Sequence, residues 1–516
     1  MANIVGIDLG TTFSALAVLN AIGKPEIIPN CEGERLTPSA IFFDEDSPGV
    51  IRVGIEAINS RNLNAQRSVR WIKRHMGQTE YLKEIDGKKW TAVELSGLIL
   101  KKLKQDCSRE HGEIRDAVIS VPAHFDEIRR KATMDAGTSI GLNVIGIVNE
   151  PVAAALYYAT TRDVSGKVLV YDLGGGTFDV SIMNVQGHQM DIICSQGDHA
   201  LGGVDFDAEV LEIIERMYRD ALNAELISCD EDRAKYEDEA EDIKKTLSRR
   251  PVAKKMLYGS AGSMRAEVTR EMFEDAISAH LARTDILVEV ALDEAGLKPT
   301  DIDKVLLVGG STRIPAVQQR LKKMFGAEPE NAVNVDECVA LGAALHAGLT
   351  VLREHPDSVP AGIAGGLRDV QLVDVCNHSY GTICAPIDKK TGRRVVENRI
   401  ILKKNTPLPC ESSQVFYTVS EGQSAVEVTV TQGEDTAPEY VNKIATNRLE
   451  LPAERQAERP IKVTYSYDLN QRMHCSFEDV ESKRLLEVDL CLDQKAQAPE
   501  SGDPQEAGQL DSFKVQ

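Results

Sequence analysis

Two stretches of the chain repeat one alternation of apolar and polar positions. IVGIDLGTTFSALAV (4–18) and VLVYDLGGGTFDV (168–180) each run through apolar residues to an acid, Asp8 or Asp172, cross a turn of Gly and Thr, and re-enter an apolar run. The pattern predicts strand, turn and strand in each copy. Elsewhere in 1–353, apolar strands alternate with helical spacing: 91–105 and 127–140 are amphipathic, 148–160 opens with Pro151 behind an acid, and 206–222 and 231–248 carry dense mixed charge. This is α/β texture. EHPDSVPAGIAGGLRD (354–369), interrupted by Pro356 and Pro360 and rich in Gly and Ala, reads as an irregular connector. Beyond it 412–420, 424–432, 461–469, 473–480 and 485–492 have β character, and a polar tail begins at Asp493. The expected organisation is an α/β unit over 1–353, a linker over 354–375, a β-sandwich over 376–492 and a disordered tail over 493–516.

Composition narrows the partners. With 59 Lys+Arg against 80 Asp+Glu, the net charge of −21 argues against nucleic acid or an anionic membrane as the main partner. No apolar run approaches the ~20 residues of a membrane span, and the N-terminal stretch lacks a basic flank, so a cytoplasmic location is expected. The 10 cysteines include no CxxC pair, which suggests neither a zinc site nor a disulfide framework.

The two turns carry the chemistry. Facing each other, they would clamp a polyphosphate: Gly10, Gly174, Gly175 and Gly176 let backbone N–H groups approach phosphate oxygens, and Thr11, Thr12 and Thr177 add hydroxyl donors. Asp8 and Asp172 can hold a hydrated Mg²⁺ beside them. A third turn, VLLVGGSTRIP (305–315), again follows an apolar strand; Gly309 and Gly310 could pass under a flat ring on which Arg313 stacks. Neither a GxxxxGK[ST] loop nor a GxGxxG turn is present.

In this order, and with WIKRHMG (71–77), VISVPAHF (118–125), VNEPVAAAL (148–156), LGGVDFD (201–207) and ALGAALHAG (340–348), the chain resembles the actin, sugar kinase and heat-shock ATPase superfamily. Within it, the chain resembles the DnaK-type heat-shock protein 70 chaperones, and LKKNTPLP (402–409), 412–434 and 461–470 resemble that family's peptide-binding β-sandwich. The shortened, divergent HscC-like bacterial forms are the branch it is most similar to. The resemblance implies a two-lobed actin-like ATPase followed by an all-β sandwich with no helical lid, binding ATP/ADP and Mg²⁺, with K⁺ as a further candidate ion.

Site roles follow from the same resemblance. Lys73, Glu150, Asp172 and Thr177 match catalytic positions; Asp8, Asp172 and Asp179 match acids that hold metal mostly through water. The nucleotide would be contacted by Asp8, Gly10, Thr11, Thr12, Phe13, Gly174, Gly175, Gly176, Gly202, Gly203, Glu241, Lys244, Ser248, Gly309, Gly310, Ser311, Arg313 and Asp336. Pro122, Asp369 and Asp374 match positions that couple the domains, and Tyr380, Thr382, Phe416, Val419, Val426 and Val428 match the peptide groove.

Several positions depart from the family pattern. Gln371 interrupts the linker's leucine run and is expected to weaken its docking; Gly146 stands where the family carries arginine, which puts a J-domain cochaperone in doubt. Tyr380 and Thr382 replace aliphatic groove residues, so a narrower or more polar pocket is expected; with no helical lid to close over a bound peptide, fast release is expected, weakened anchoring by these two residues adding to it. The implied function is an ATP-dependent chaperone for unfolded or extended polypeptides, assisted by a nucleotide-exchange factor. A nucleotide-sensing adaptor for one partner and a sugar kinase are the alternatives.

Overall fold

A computed structural model describes residues 3–162, 164–331, 334–387, 390, 392–452, 456–490, 510 and 513–516. The two repeats form antiparallel hairpins, Asn3–Asp8 with Phe13–Leu19 and Ser165–Leu173 with Phe178–Gln186. The first strand of each also pairs in parallel with a later strand, Ile114–Val121 or Lys304–Val308. The same local topology therefore recurs in two lobes, with Asp8 the last residue of its strand and Asp172 the last but one, each beside the turn. A ligand at these strand ends meets both turns together.

The amphipathic stretches are the helices Ala92–His111, Glu127–Thr138, Glu150–Thr161, Gly203–Leu222 and Asp230–Arg249. Thr91 starts the first of these with a capping box: its hydroxyl accepts from Glu94 N at 3.2 Å while the Glu94 carboxylate accepts from Thr91 N at 2.8 Å. Small residues let the lobes meet. Helix Cys338–Glu354 crosses Glu150–Thr161 so closely that a Cβ on Gly342 would stand 1.8 Å from the Ala153 carbonyl oxygen.

The connector differs from its sequence reading. Within 354–369 lie the turn Pro356–Ser358 and the helix Ala361–Leu367. Leu367 is buried and Ile363 packs with it on the inter-lobe core, so apolar contact organises a stretch whose Gly and Pro content argued for irregularity. Gln371–Val373 then extends the second-lobe sheet, pairing in parallel with Gln189–Asp198. Alternation along the strand leaves the Gln371 side chain in solvent while Leu372 and Val370 pack on the core. The polar residue thus takes nothing from the apolar contact, contrary to the expected weakening.

Two four-stranded sheets follow. One runs in the order Glu397–Leu402, Tyr380–Cys384, Ala425–Gln432, Asn442–Glu450, and the other Cys410–Tyr417, Pro460–Tyr467, Met473–Asp479, Leu485–Asp489. Ile461, Val463, Tyr465 and Tyr467 alternate inward along one strand and fill the space between the sheets. No helix follows the sandwich among the described residues. The tail expected to be disordered is a further difference. Residues 493–509, 511 and 512 lie outside the described part, but Leu510 is buried in the first-lobe core and Lys514–Val515 is a strand, because its apolar residues find an uncovered sheet edge.

Candidate functional site

The two Gly/Thr turns face each other at contact distance. A Cβ on Gly175 would stand 2.1 Å from Thr12 Oγ1, and one on Gly176 would stand 2.6 Å from Thr11 Oγ1. The third turn completes the arrangement: Gly309 has φ +80° and passes so close to the Leu173 carbonyl oxygen that a Cβ would lie 2.4 Å from it, while Ser311 Oγ donates to Gly174 O at 2.9 Å. These turns border a cleft of about 520 Å³. Of the residues expected to contact nucleotide, Asp8, Gly10, Thr11, Thr12, Phe13, Gly174, Gly175, Glu241, Lys244, Ser248, Gly309, Gly310, Ser311, Arg313 and Asp336 line it, as do Lys73, Glu150, Asp172 and Thr177. Gly176, Gly202 and Gly203 sit just behind this wall, where Gly203 N and Val204 N donate to the carbonyls of Gly174 and Gly175 at 3.0 and 2.8 Å.

A cluster of buried charge lies at the floor. Lys73 and Glu150 form an ion pair, and Asp8, Asp172 and Asp179 surround it. Ser120 Oγ donates to Asp8 at 2.9 Å and His124 N donates to Asp179 at 3.1 Å. Burial, reinforced by the Glu150 charge, pushes Asp8 up to about 6 and Asp179 up to about 8; the same two causes, with Asp179 and Asp8 added, raise Asp172 well above the carboxylate range. Burial works to lower Lys73, but Glu150, Asp8 and Asp179 outweigh it and hold the ammonium charged. Four carboxyl groups face one ammonium in a hard-oxygen environment, and a divalent ion such as Mg²⁺, by replacing the protons that these raised values favour, fits it. Among the described residues, the only three potential ligating side chains whose ligand atoms lie within 4.8 Å of one another are Cys31, Glu32 and Asp106, which do not line this cleft.

The opposite wall belongs to helix Asp230–Arg249. Lys244 donates to Gly203 O at 2.9 Å and pairs with Asp207 at 2.7 Å; Ser248 Oγ donates to Lys244 O at 3.1 Å. Burial pushes Glu241 upward, but Lys245, Arg70 and Lys244 overcome it and hold the carboxyl at about 2. Arg313 makes a bidentate pair with Asp336, at 3.0 and 2.6 Å, along the cleft wall. Sequence reasoning missed Arg61, Arg70 and Arg74, which reach from the first lobe to Asp238, Glu241 and Asp205 of the second. It also missed Lys245, although its i, i+4 spacing from Glu241 was a readable signal.

A second network joins lobe, linker and sandwich. Asp374 is buried and accepts from Val375 N at 2.8 Å, from Asn149 Nδ2 at 3.4 Å, and from Gln471 Nε2. Arg130, also buried, donates to Gln471 and, at 2.8 Å, to Asn149 Oδ1. Pro122 ends the strand beside these groups, its carbonyl accepting from Phe125 N at 3.1 Å, whereas Asp369 is exposed. Gly146 faces Asn470, whose Cβ would be 3.6 Å from a side chain there. Lys404 of the sandwich pairs with Glu294 of the second lobe at 2.9 Å, so the sandwich touches both lobes.

The sandwich has its own groove of about 620 Å³, lined among others by Thr382, Phe416, Val419, Val426 and Val428. Tyr380 does not line it. Its ring is wholly buried between sandwich and first lobe, with its hydroxyl donating to Glu127 Oε1 at 2.6 Å, because this face of the strand meets another domain instead of peptide.

Hairpin turns clamped over an acidic floor, joined by a sheet-extending linker to a grooved sandwich, define an actin-like ATPase coupled to a second binding unit. A model of the Hsp70 protein family matches residues 4–85 and 80–501. The chaperone protein DnaK of Thermotoga neapolitana is 39% identical over 489 residues, 93% of this chain and 78% of that protein. The chain belongs to the Hsp70 family, and is an ATP-hydrolysing, ATP-dependent chaperone of that type. Hsp70 proteins bind ATP and ADP with Mg²⁺. No helix among the described residues is long and apolar enough to cross a membrane.

Proposed function

We propose that the chain couples slow hydrolysis of ATP in the lobe cleft to capture and release of extended polypeptide in the sandwich groove. The observation that carries this reading is the position of the linker strand, hydrogen-bonded to the second-lobe sheet while its next residue, Asp374, is held by Asn149, immediately before Glu150. A shift of either lobe then pulls on the chain that leads to the groove. Thr11, Thr12 and Thr177 would hold phosphate oxygens, Lys73 would orient the attacking water and stabilise charge on the transferred phosphoryl group, and Glu150 would keep Lys73 in place. Mg²⁺, held through water by Asp8, Asp172 and Asp179, would neutralise phosphate charge, with K⁺ as a further ion on the same acidic floor.

The groove would accept apolar side chains of an extended segment against Phe416, Val419, Val426 and Val428. Cytoplasmic residence and a nucleotide-exchange factor belong to this reading. With no arginine at Gly146, a J-domain cochaperone would need a different contact. The test is phosphate release at saturating ATP with and without an apolar heptapeptide. Peptide-stimulated release of several-fold is expected. ATP turnover indifferent to any unfolded polypeptide would instead fit an adaptor, and phosphate transferred to a sugar a kinase.

A further inference from the structure

The first lobe carries a small sheet in which Val50–Val53, Ala40–Phe43 and Ser68–Arg70 lie in that order. Its outer strand, Val50–Val53, would expose an unpaired edge. Lys514–Val515 covers that edge in parallel register, Lys514 opposite Val50 and Val515 opposite Ile51. Lys514 N donates to Gly49 O at 3.0 Å, Gln516 N to Ile51 O at 2.9 Å, and Val53 N to Gln516 O at 2.9 Å.

Side chains reinforce this ladder from the neighbouring helix and hairpin. Phe513 meets the Trp90 ring edge-on at 5.1 Å, and the Lys88 ammonium lies 3.7 Å from the Trp90 centroid. Leu510 and Val515 are buried in the first-lobe core. Lys101 Nζ donates to the carbonyls of Leu510 and Phe513 at 2.6 and 3.1 Å. Helix Ala92–His111 carries a glycine in its interior at the point of contact: a Cβ on Gly97 would stand 3.1 Å from Leu510 Cδ1 and 2.8 Å from Ser139 Oγ. Glycine is a poor helix former, so its presence here makes room for these neighbours.

We propose that the trough between the edge of Val50–Val53 and helix Ala92–His111 is a peptide-binding site, distinct from the nucleotide cleft and the sandwich groove. Its ligand class is a segment with apolar residues in the order Leu-x-x-Phe-x-Val that runs extended after the Phe, and the chain fills it with its own Leu510 and residues 513–516. Strand pairing supplies affinity without regard to sequence, while the pockets for Leu510 and Phe513 supply selectivity. Because residues 491–509 connect the segment to the sandwich, its effective concentration at the trough is in the millimolar range. A free peptide of the same sequence therefore competes poorly while the attached segment is in place.

The test is an anisotropy titration of a labelled peptide GQLDSFKVQ, residues 508–516, against the chain ending at residue 509. One-to-one binding is expected, weakened about tenfold or more when the peptide carries F513S, and about tenfold or more weaker again to the full chain than to the shortened one. Should the shortened chain fail to fold, the full chain with Phe513→Ser, whose own segment is loosened, takes its place and must bind the wild-type peptide. Equal binding of the F513S peptide, equal binding to the full chain, or no binding to either emptied form overturns the proposal.

Discussion

Tyr467 of the sandwich donates its hydroxyl to Glu127 Oε1 of the first lobe at 2.9 Å, and the Tyr380 hydroxyl reaches the same oxygen at 2.6 Å. All three groups are buried, so the carboxylate's hydrogen bonds depend on the sandwich staying docked. Tyr467→Phe removes one donor from a charged acceptor, a loss of about 1.5–3 kcal/mol, or roughly tenfold to 150-fold in the docking equilibrium. Hydrogen exchange of the amides of 371–373 should accelerate accordingly. Unchanged protection of that strand in the variant would mean that the tyrosines only fill space.

At the cleft, the contact between turns leaves no room on Gly175. Gly175→Ala puts a methyl 2.1 Å from Thr12 Oγ1, so the Thr12 hydroxyl must turn out of its place or the two turns must separate. ATP affinity and turnover should both fall, since the ground-state cradle itself is disturbed. Thr177→Ala, by contrast, should keep ATP affinity within about tenfold and lower turnover by ~10², because its role is assigned to the transition state. Calorimetric binding beside single-turnover rates separates the two patterns; the same pattern for both variants would remove the distinction drawn between these residues.

The meeting of the two Gly/Thr turns was legible because its pattern is local: Asp8 and Asp172 each lie within a few residues of the Gly and Thr beside them. Tyr380 was misplaced because strand alternation tells which residues share a face but not whether that face meets peptide or a second domain. Arg130 and Gln471 meet across a large sequence separation, and nothing near either one signals the other. Leu510, Phe513 and Val515 are three apolar residues in a polar stretch, a density too low for periodicity to detect, and only the uncovered edge at Val50–Val53 gives them a place.

His378 offers a pH dependence. Burial first, then the charges of His124, Arg130 and Lys404, press its pKa well below the usual histidine value, although the Phe125 carbonyl 3.1 Å away works the other way. His124, its neighbour at 5.4 Å, is lowered to about 4, mainly by burial. A depressed histidine contributes docking stability that is full above its free value of ~6.5 and is lost as pH falls through the docked value. Asp374 acts in the opposite sense: burial raises it to about 6, so the docked state favours its proton as pH falls. The two histidines outnumber it, and lowering pH from 7 to 5 should expose the linker to protease. His378→Leu should reduce that acid sensitivity; an identical pH profile in the variant would assign the effect elsewhere.

The last prediction concerns the acid that links all three parts. Asp374 receives hydrogen bonds from Val375 N, Asn149 Nδ2 and Gln471 Nε2, all donors, so both of its oxygens are used as acceptors. Asp374→Asn keeps the shape but turns one acceptor into an NH₂ group that faces a donor whichever way the amide is placed. Leaving a buried donor unsatisfied costs about 1–3 kcal/mol, comparable to the coupling energies that carry allosteric signals. The turns proposed to hold phosphate are not part of this network, so basal ATP turnover should remain within about twofold while its stimulation by peptide is largely lost. Asp369→Asn provides the control: this side chain is exposed, and its replacement should leave both activities unchanged. Steady-state phosphate release over a peptide titration checks both variants. Full stimulation in Asp374→Asn would show that lobe movement reaches the groove by another route, with the pairing of Lys404 and Glu294 as the next contact to break.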